Sequence, residues 1–140
     1  MIKIIAMLAA IGANDIPRKE VNCLATAVWH EARGESVAGQ MAVAHVIMNR
    51  VRSERYPDTV CEVVYQPYQF SHIQRAKPDR NSQMWEAVVQ EAVFAYADYT
   101  LDITYGATHY YAHDLVLPDW ATVKRTSTII GGHTFKVTSR

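Results

Sequence analysis

The chain has 140 residues, 49% of them hydrophobic, 10% aromatic and 20% charged. Fourteen Lys and Arg balance fourteen Asp and Glu, so the formal charge is zero with histidine neutral. That length suits one domain with one real core, and the composition excludes a disordered chain, collagen and a disulfide-dense miniprotein. Neutrality also removes the bulk attraction on which non-specific nucleic-acid binding depends, so no nucleic-acid partner is expected.

The zero total hides a separation. No Lys or Arg occurs from Asn81 to Val123, while Glu86, Glu91, Asp98, Asp102, Asp114 and Asp119 all fall there. Arg50, Arg52, Arg55, Arg75, Lys77 and Arg80 lie just upstream. A dipolar surface accounts for this, and a basic face for an anionic polymer is the sharper alternative.

Residues 1–13 form an apolar segment with a single leading Lys, too short to span a bilayer. It reads equally as a minimal secretory signal ending near Ala13 or as an N-terminal core helix. Residues 14–140 are expected to form the single domain. Asp15, before Pro17, can cap a helix to about Arg33 whose apolar stripe is Val21, Leu24, Ala25, Val28 and Ala32. Ser36 can cap a second helix to about Val51, apolar almost all round, which places it at the centre of the core. Asp58 can start a short turn through Val60, Val63 and Val64. Gln66 to Arg80 reads as a long polar loop, of a length that is usually functional. Ser82 can cap a further helix with Trp85, Val88, Val89, Ala92, Val93 and Tyr96 on one face. After Thr100 the pattern changes. Thr104 to Ala112 is rich in Tyr and Thr, and Thr126 to Val137 is β-branched around Gly131-Gly132, a two-residue hairpin turn. The expected fold class is α+β, mainly α, with a small antiparallel β element at the C-terminal end.

Cys23 and Cys61 allow one intrachain disulfide and form no metal-binding spacing. Their apolar neighbours favour two buried thiols, whereas a disulfide would fit an oxidising compartment.

Glu31 is the most informative residue. It follows Val28 by three and Leu24 by seven, so its carboxylate projects from the apolar side of the first helix. Desolvation there favours the protonated form of a carboxyl, which suits a general acid. Glu35, four residues on, adds like charge and is the possible second carboxylate. The competing structural reading has Glu31 ending its helix in solvent or paired with Arg33 or Arg50. His30-Glu31 does not extend to HExxH, because position 34 is Gly. His109 and His113 are four apart in a β-rich stretch, where that spacing does not align them. No metal and no cofactor are expected. There is no GxSxG elbow, no GxGxxG and no P-loop. Tyr65, Tyr68 and Phe70, with Gln66, Gln69 and His72, can line a groove for a sugar chain, as can Tyr105, Tyr110, Tyr111 and Trp120. Strands also favour aromatics, so part of this set is expected in the core.

The run Trp29-His30-Glu31-Ala32-Arg33-Gly34-Glu35, with Cys23-Leu24-Ala25 before it, resembles the signature of the SleB/CwlJ-type cell-wall hydrolases. The resemblance continues through Gly39-Gln40, Asn49-Arg50, Gln69-Phe70-Ser71, Gly106-Ala107-Thr108-His109-Tyr110-Tyr111, Trp120-Ala121 and Ile130-Gly131-Gly132-His133-Thr134-Phe135. It implies a lysozyme-like helical domain acting on peptidoglycan glycan strands, with Glu31 as catalytic acid and Gln69, Ser71, His109 and Tyr110 as groove residues. The implied chemistry is lytic transglycosylation of the MurNAc–GlcNAc bond, in a phage endolysin or a bacterial wall-remodelling enzyme working as a monomer in the periplasm or wall. Alternatives are a hydrolytic muramidase, whose second carboxylate is sought among Glu35, Asp114 and Asp119, a non-catalytic wall-binding or virion protein, and a metal-dependent amidase using His30, Glu31 and a distant His. The basic segment beside Gln69-Phe70-Ser71, rather than the net charge, is expected to orient the domain on an anionic wall.

Overall fold

A computed structural model describes residues 16–67, 69–70 and 77–138. The apolar segment 1–13, the Asp15 cap and residues 71–76 of the expected polar loop lie outside the described residues. Among the described residues four helices precede a small sheet: α1 (Arg18–Ala32), α2 (Val37–Val51), α3 (Val60–Val64), α4 (Gln83–Tyr96), then β1 (His109–Ala112), a 3-10 turn (Asp119–Thr122), β2 (Arg125–Ile130) and β3 (His133–Val137). The α+β, mainly α reading holds.

The capping serines act as their spacing implies. Ser36 Oγ accepts from Gly39 N at 3.2 Å, and Ser82 Oγ accepts from Trp85 N at 3.1 Å. The short α3 corrects the expectation of Asp58: its cap is Thr59, which accepts from Glu62 N and donates its hydroxyl to the Glu62 carboxylate, a reciprocal pair. Two more of its free amides, Val60 N and Cys61 N, donate to the Glu20 carboxylate of α1 at 2.7 and 3.0 Å. Beside that junction Cys23 and Cys61 are joined as a disulfide, with Cα atoms 5.3 Å apart. This corrects the reading as buried free thiols: apolar neighbours suit both states, and the approach of α3 to α1 decides between them.

The central place of α2 is visible in two apolar clusters. Val43, Ala44, Ile47 and Met48 join the main cluster with α1, α3 and α4. Ala42 and Val46 join a second cluster with Ala107, Phe135 and Val137 of the sheet region. Phe135 is fully inaccessible and contributes about 2–3 kcal/mol by burial. The sheet is antiparallel in the order β1-β3-β2, so the last strand is the middle one and all five of its residues are buried. The β2–β3 turn is Gly131-Gly132, with Ile130 opposite His133 and Gly131 at φ 55°. A bulge at Ser127 shifts the register between Thr126 and Thr128.

Candidate active site

Glu31 lies in the last turn of α1, half-buried, where β1 crosses the helix end. The Tyr110 hydroxyl donates to Glu31 Oε1 at 2.7 Å. Tyr110 packs against both apolar clusters, and burial, then the charge and hydrogen bond of Glu31, hold its phenol well above its ordinary range. The hydroxyl is therefore a fixed donor. Among the described residues Glu31 Oε2 makes no hydrogen bond.

The strand that carries Tyr110 is held by the end of α2. Asn49 Nδ2 donates to Asp102 Oδ2 at 2.8 Å and to the Ala107 carbonyl at 2.9 Å. Asp102 also accepts from Thr104 N, Thr104 Oγ1 and Gly106 N. Burial pushes the Asp102 carboxyl up, but these hydrogen bonds outweigh it and hold the group below its usual value. The next residue, Arg50, is buried and donates from Nε to the Thr108 carbonyl at 2.8 Å and from Nη1 to Gln69 Oε1 at 3.2 Å. Its guanidinium lies over the rings of Tyr56 and Phe70 at 5.1 and 5.4 Å. Burial lowers its proton affinity, and the negative charge of Glu31 opposes that.

Glu35 is held elsewhere. Its Oε1 accepts from Gly132 N at 3.0 Å and lies 3.2 Å from His133 Nδ1, tying the start of α2 to the β2–β3 turn. Two glycines make room for it: a Cβ on Gly131 would meet Glu35 Oε1 at 2.9 Å, and one on Gly39 would meet Glu35 Cβ at 2.8 Å. His133 in turn stands edge-on to the Tyr110 ring at 5.1 Å. A continuous line thus runs from Glu35 through His133 and Tyr110 to Glu31.

The chain matches known proteins. A cell wall hydrolase family model matches residues 34–136, beginning three residues after Glu31. The chain belongs to the cell wall hydrolase family. It is 32% identical over 120 residues to a spore cortex-lytic enzyme of Oceanobacillus iheyensis, covering 84% of this chain and 41% of that protein. It is 33% identical over 118 residues to one from Halalkalibacterium halodurans, covering 83% and 34%. The chain thus spans less than half the length of the curated relatives it matches. Among solved structures it resembles the catalytic domain of the germination-specific lytic transglycosylase SleB from Bacillus anthracis, with a TM-score of 0.70 and 30% identity over 88% of this chain and 98% of that one. The catalytic domain of Bacillus cereus SleB gives a TM-score of 0.72 and 31% identity, over 88% and 93%.

Of the residues singled out in the sequence, the structure brings Tyr110 to Glu31 and Gln69 to Arg50. Ser71 lies outside the described residues. His109 departs from the expectation of a shared groove, because neighbouring strand residues point to opposite faces. Its ring is tilted against Trp120 at 5.1 Å, and Tyr111 stands edge-on to the same ring at 5.8 Å, away from the face that Tyr110 presents to Glu31. Burial, with Arg50 and Lys124 nearby, lowers the His109 imidazole to about 4, so it is neutral at neutral pH. The sequence pattern assigned no role to Asn49, Asp102 or His133, although the Asn49-Arg50 and Gly131-Gly132-His133 motifs already contained two of them. Among the described residues no group of three His, Cys, Asp or Glu is placed to hold a metal ion, and no helix is long and apolar enough to cross a membrane.

Proposed function

We propose that the chain cleaves the MurNAc–GlcNAc bond of peptidoglycan at the cell wall, as a lytic transglycosylase with Glu31 as its one general acid and base. Glu31 delivers its proton to the glycosidic oxygen as the bond from that oxygen to MurNAc C1 breaks. The resulting carboxylate takes the proton of the MurNAc 6-hydroxyl while that oxygen bonds to C1, closing an anhydro ring. No water is consumed and no second carboxylate is required, whereas a hydrolytic pair needs two carboxyls facing the bond.

The observation that carries this reading is the division of labour between the two signature glutamates. Among the described residues both bond through Oε1 alone, but to different ends: Glu31 to the Tyr110 hydroxyl, and Glu35 to Gly132 N with His133 Nδ1 3.2 Å away, which ties Glu35 to the β2–β3 turn. The likeness to the SleB catalytic domains, one of them that of a lytic transglycosylase, supports the same chemistry. Tyr110, Gln69, which is oriented by Arg50, and Ser71 are proposed glycan contacts. His109 is left to the opposite face.

Mass spectrometry of purified peptidoglycan digested by the protein tests the proposal. Anhydro-MurNAc ends are expected. Reducing MurNAc ends would make it a hydrolase, free stem peptides an amidase, and binding without any release a non-catalytic wall protein. The Glu31→Gln protein is expected to keep its fold by circular dichroism and to lose at least about 100-fold in activity, the usual scale for a general acid.

A further inference from the structure

On the far side of the Asn49–Arg50 clamp the surface opens into a recess of about 790 Å³. Arg52 and Arg55, just beyond the end of α2, and Arg125, at the start of β2, line it together with Asn49, Tyr105 and Thr108. None of the described residues that line it is acidic. Arg52 has an exposed partner, Asp98, at 3.7 Å, but among the described residues Arg55 and Arg125 face no carboxylate within ion-pair distance. In a chain of zero net charge, three guanidinium groups from two separate parts of the sequence are thus collected on one concave surface. An anion in the recess is attracted by all three.

We propose that this recess binds carboxylates, and that its ligand is the stem peptide of the glycan strand cut at Glu31. This rests on the cleavage proposed above and names a further contact of the same substrate. The planar guanidinium fork matches a carboxylate bidentately. The recess falls in the size range that takes a ligand of several residues rather than a single small ion. Its position fits as well. Thr108 lines it, and Tyr110, which holds Glu31, lies two residues further along extended chain, about 7 Å away. Three residues of extended peptide span about 10 Å, so a stem attached near the cleaved bond reaches the Thr108 edge of the recess. The inner wall is fixed: Asn49 is committed to Asp102 and Ala107, and the Thr108 hydroxyl to His109 and Thr138. That leaves the arginines as the adjustable donors. Of the basic segment noted in the sequence, Arg52 and Arg55 supply this surface, Arg75 lies outside the described residues, and Lys77 is exposed elsewhere.

The test uses the Arg55→Gln/Arg125→Gln double variant, leaving Arg52 on Asp98. It is assayed on glycan strands bearing their stems and on the same strands stripped of stems by an amidase. KM on stem-bearing strands is expected to rise about fivefold at low salt, the size two exposed charge pairs supply, with kcat unchanged. On stripped strands neither constant is expected to change. An unchanged KM on stem-bearing strands, or an equal rise on both substrates, would overturn the site. Sedimentation of the Glu31→Gln protein with the two preparations reads binding without cleavage. A preference for stem-bearing strands that vanishes when the two arginines are also replaced supports the recess even where no cleavage is found, and no preference overturns it. Displacement by poly(glycerol phosphate) at concentrations where a free stem peptide has no effect would overturn the carboxylate assignment.

Discussion

Glu91 is a carboxyl in the wrong medium. It sits on α4 with 6% of its surface exposed, and among the described residues its Oε2 has no hydrogen-bond partner. Burial alone raises the carboxyl from its ordinary 4.5 to about 7. Between those values the folded chain holds a proton that the unfolded chain has released. Stability therefore falls as pH rises through this interval and levels off above the folded value. The interval corresponds to about 3 kcal/mol of pH-dependent stability, an order-of-magnitude figure from one proton held across it. Glu91→Gln keeps the shape and removes the titration. Urea denaturation of both proteins at pH 5 and pH 8 reads the difference. The variant is expected to be close to wild type at pH 5 and more stable at pH 8, by about 1 M or more in midpoint for ordinary urea slopes. A difference between the two proteins that is the same at both pH values would refute the reasoning, because it would mean that Glu91 is ionised throughout or is solvated on opening.

Tyr110→Phe removes the hydroxyl that holds Glu31 Oε1 and leaves the ring packing in place. With a hydrogen bond to a charged group worth about 1.5–3 kcal/mol, kcat on peptidoglycan is expected to fall about 10- to 100-fold while the melting temperature moves little. Replacing Cys23 and Cys61 together by Ala frees a loop of 38 residues and is expected to cost about 3–4 kcal/mol, read from urea midpoints under oxidising conditions. Gly131→Ala places a side chain at φ 55° with its Cβ 2.9 Å from Glu35 Oε1. A loss of about 1–2 kcal/mol in chemical denaturation is expected, more than the same change at Gly34, which has open space around it.

Local rules written in the sequence settled much of this protein. The helices follow from 3.6-residue spacing and from Ser36 and Ser82, whose short side chains reach the third amide in any context. The hairpin follows from Gly131-Gly132, because the turn needs a residue that tolerates positive φ. The all-round apolar pattern of α2 required packing on two sides, which the two clusters supply. Glu31 stood out because a charged group on an apolar stripe needs a reason. Contacts between distant segments were not legible. Whether Cys23 meets Cys61 depends on how α3 docks on α1, fixed by Glu20 from 40 residues away. That β3 is the central strand, that Tyr110 rather than His109 faces Glu31, and that Glu35 closes on the β2–β3 turn all depend on strand order and on which face of β1 meets α2. The charge separation was visible as composition. Only the fold decided that Arg125 would return to join Arg52 and Arg55, because sequence distance carries no information about which charges share a surface.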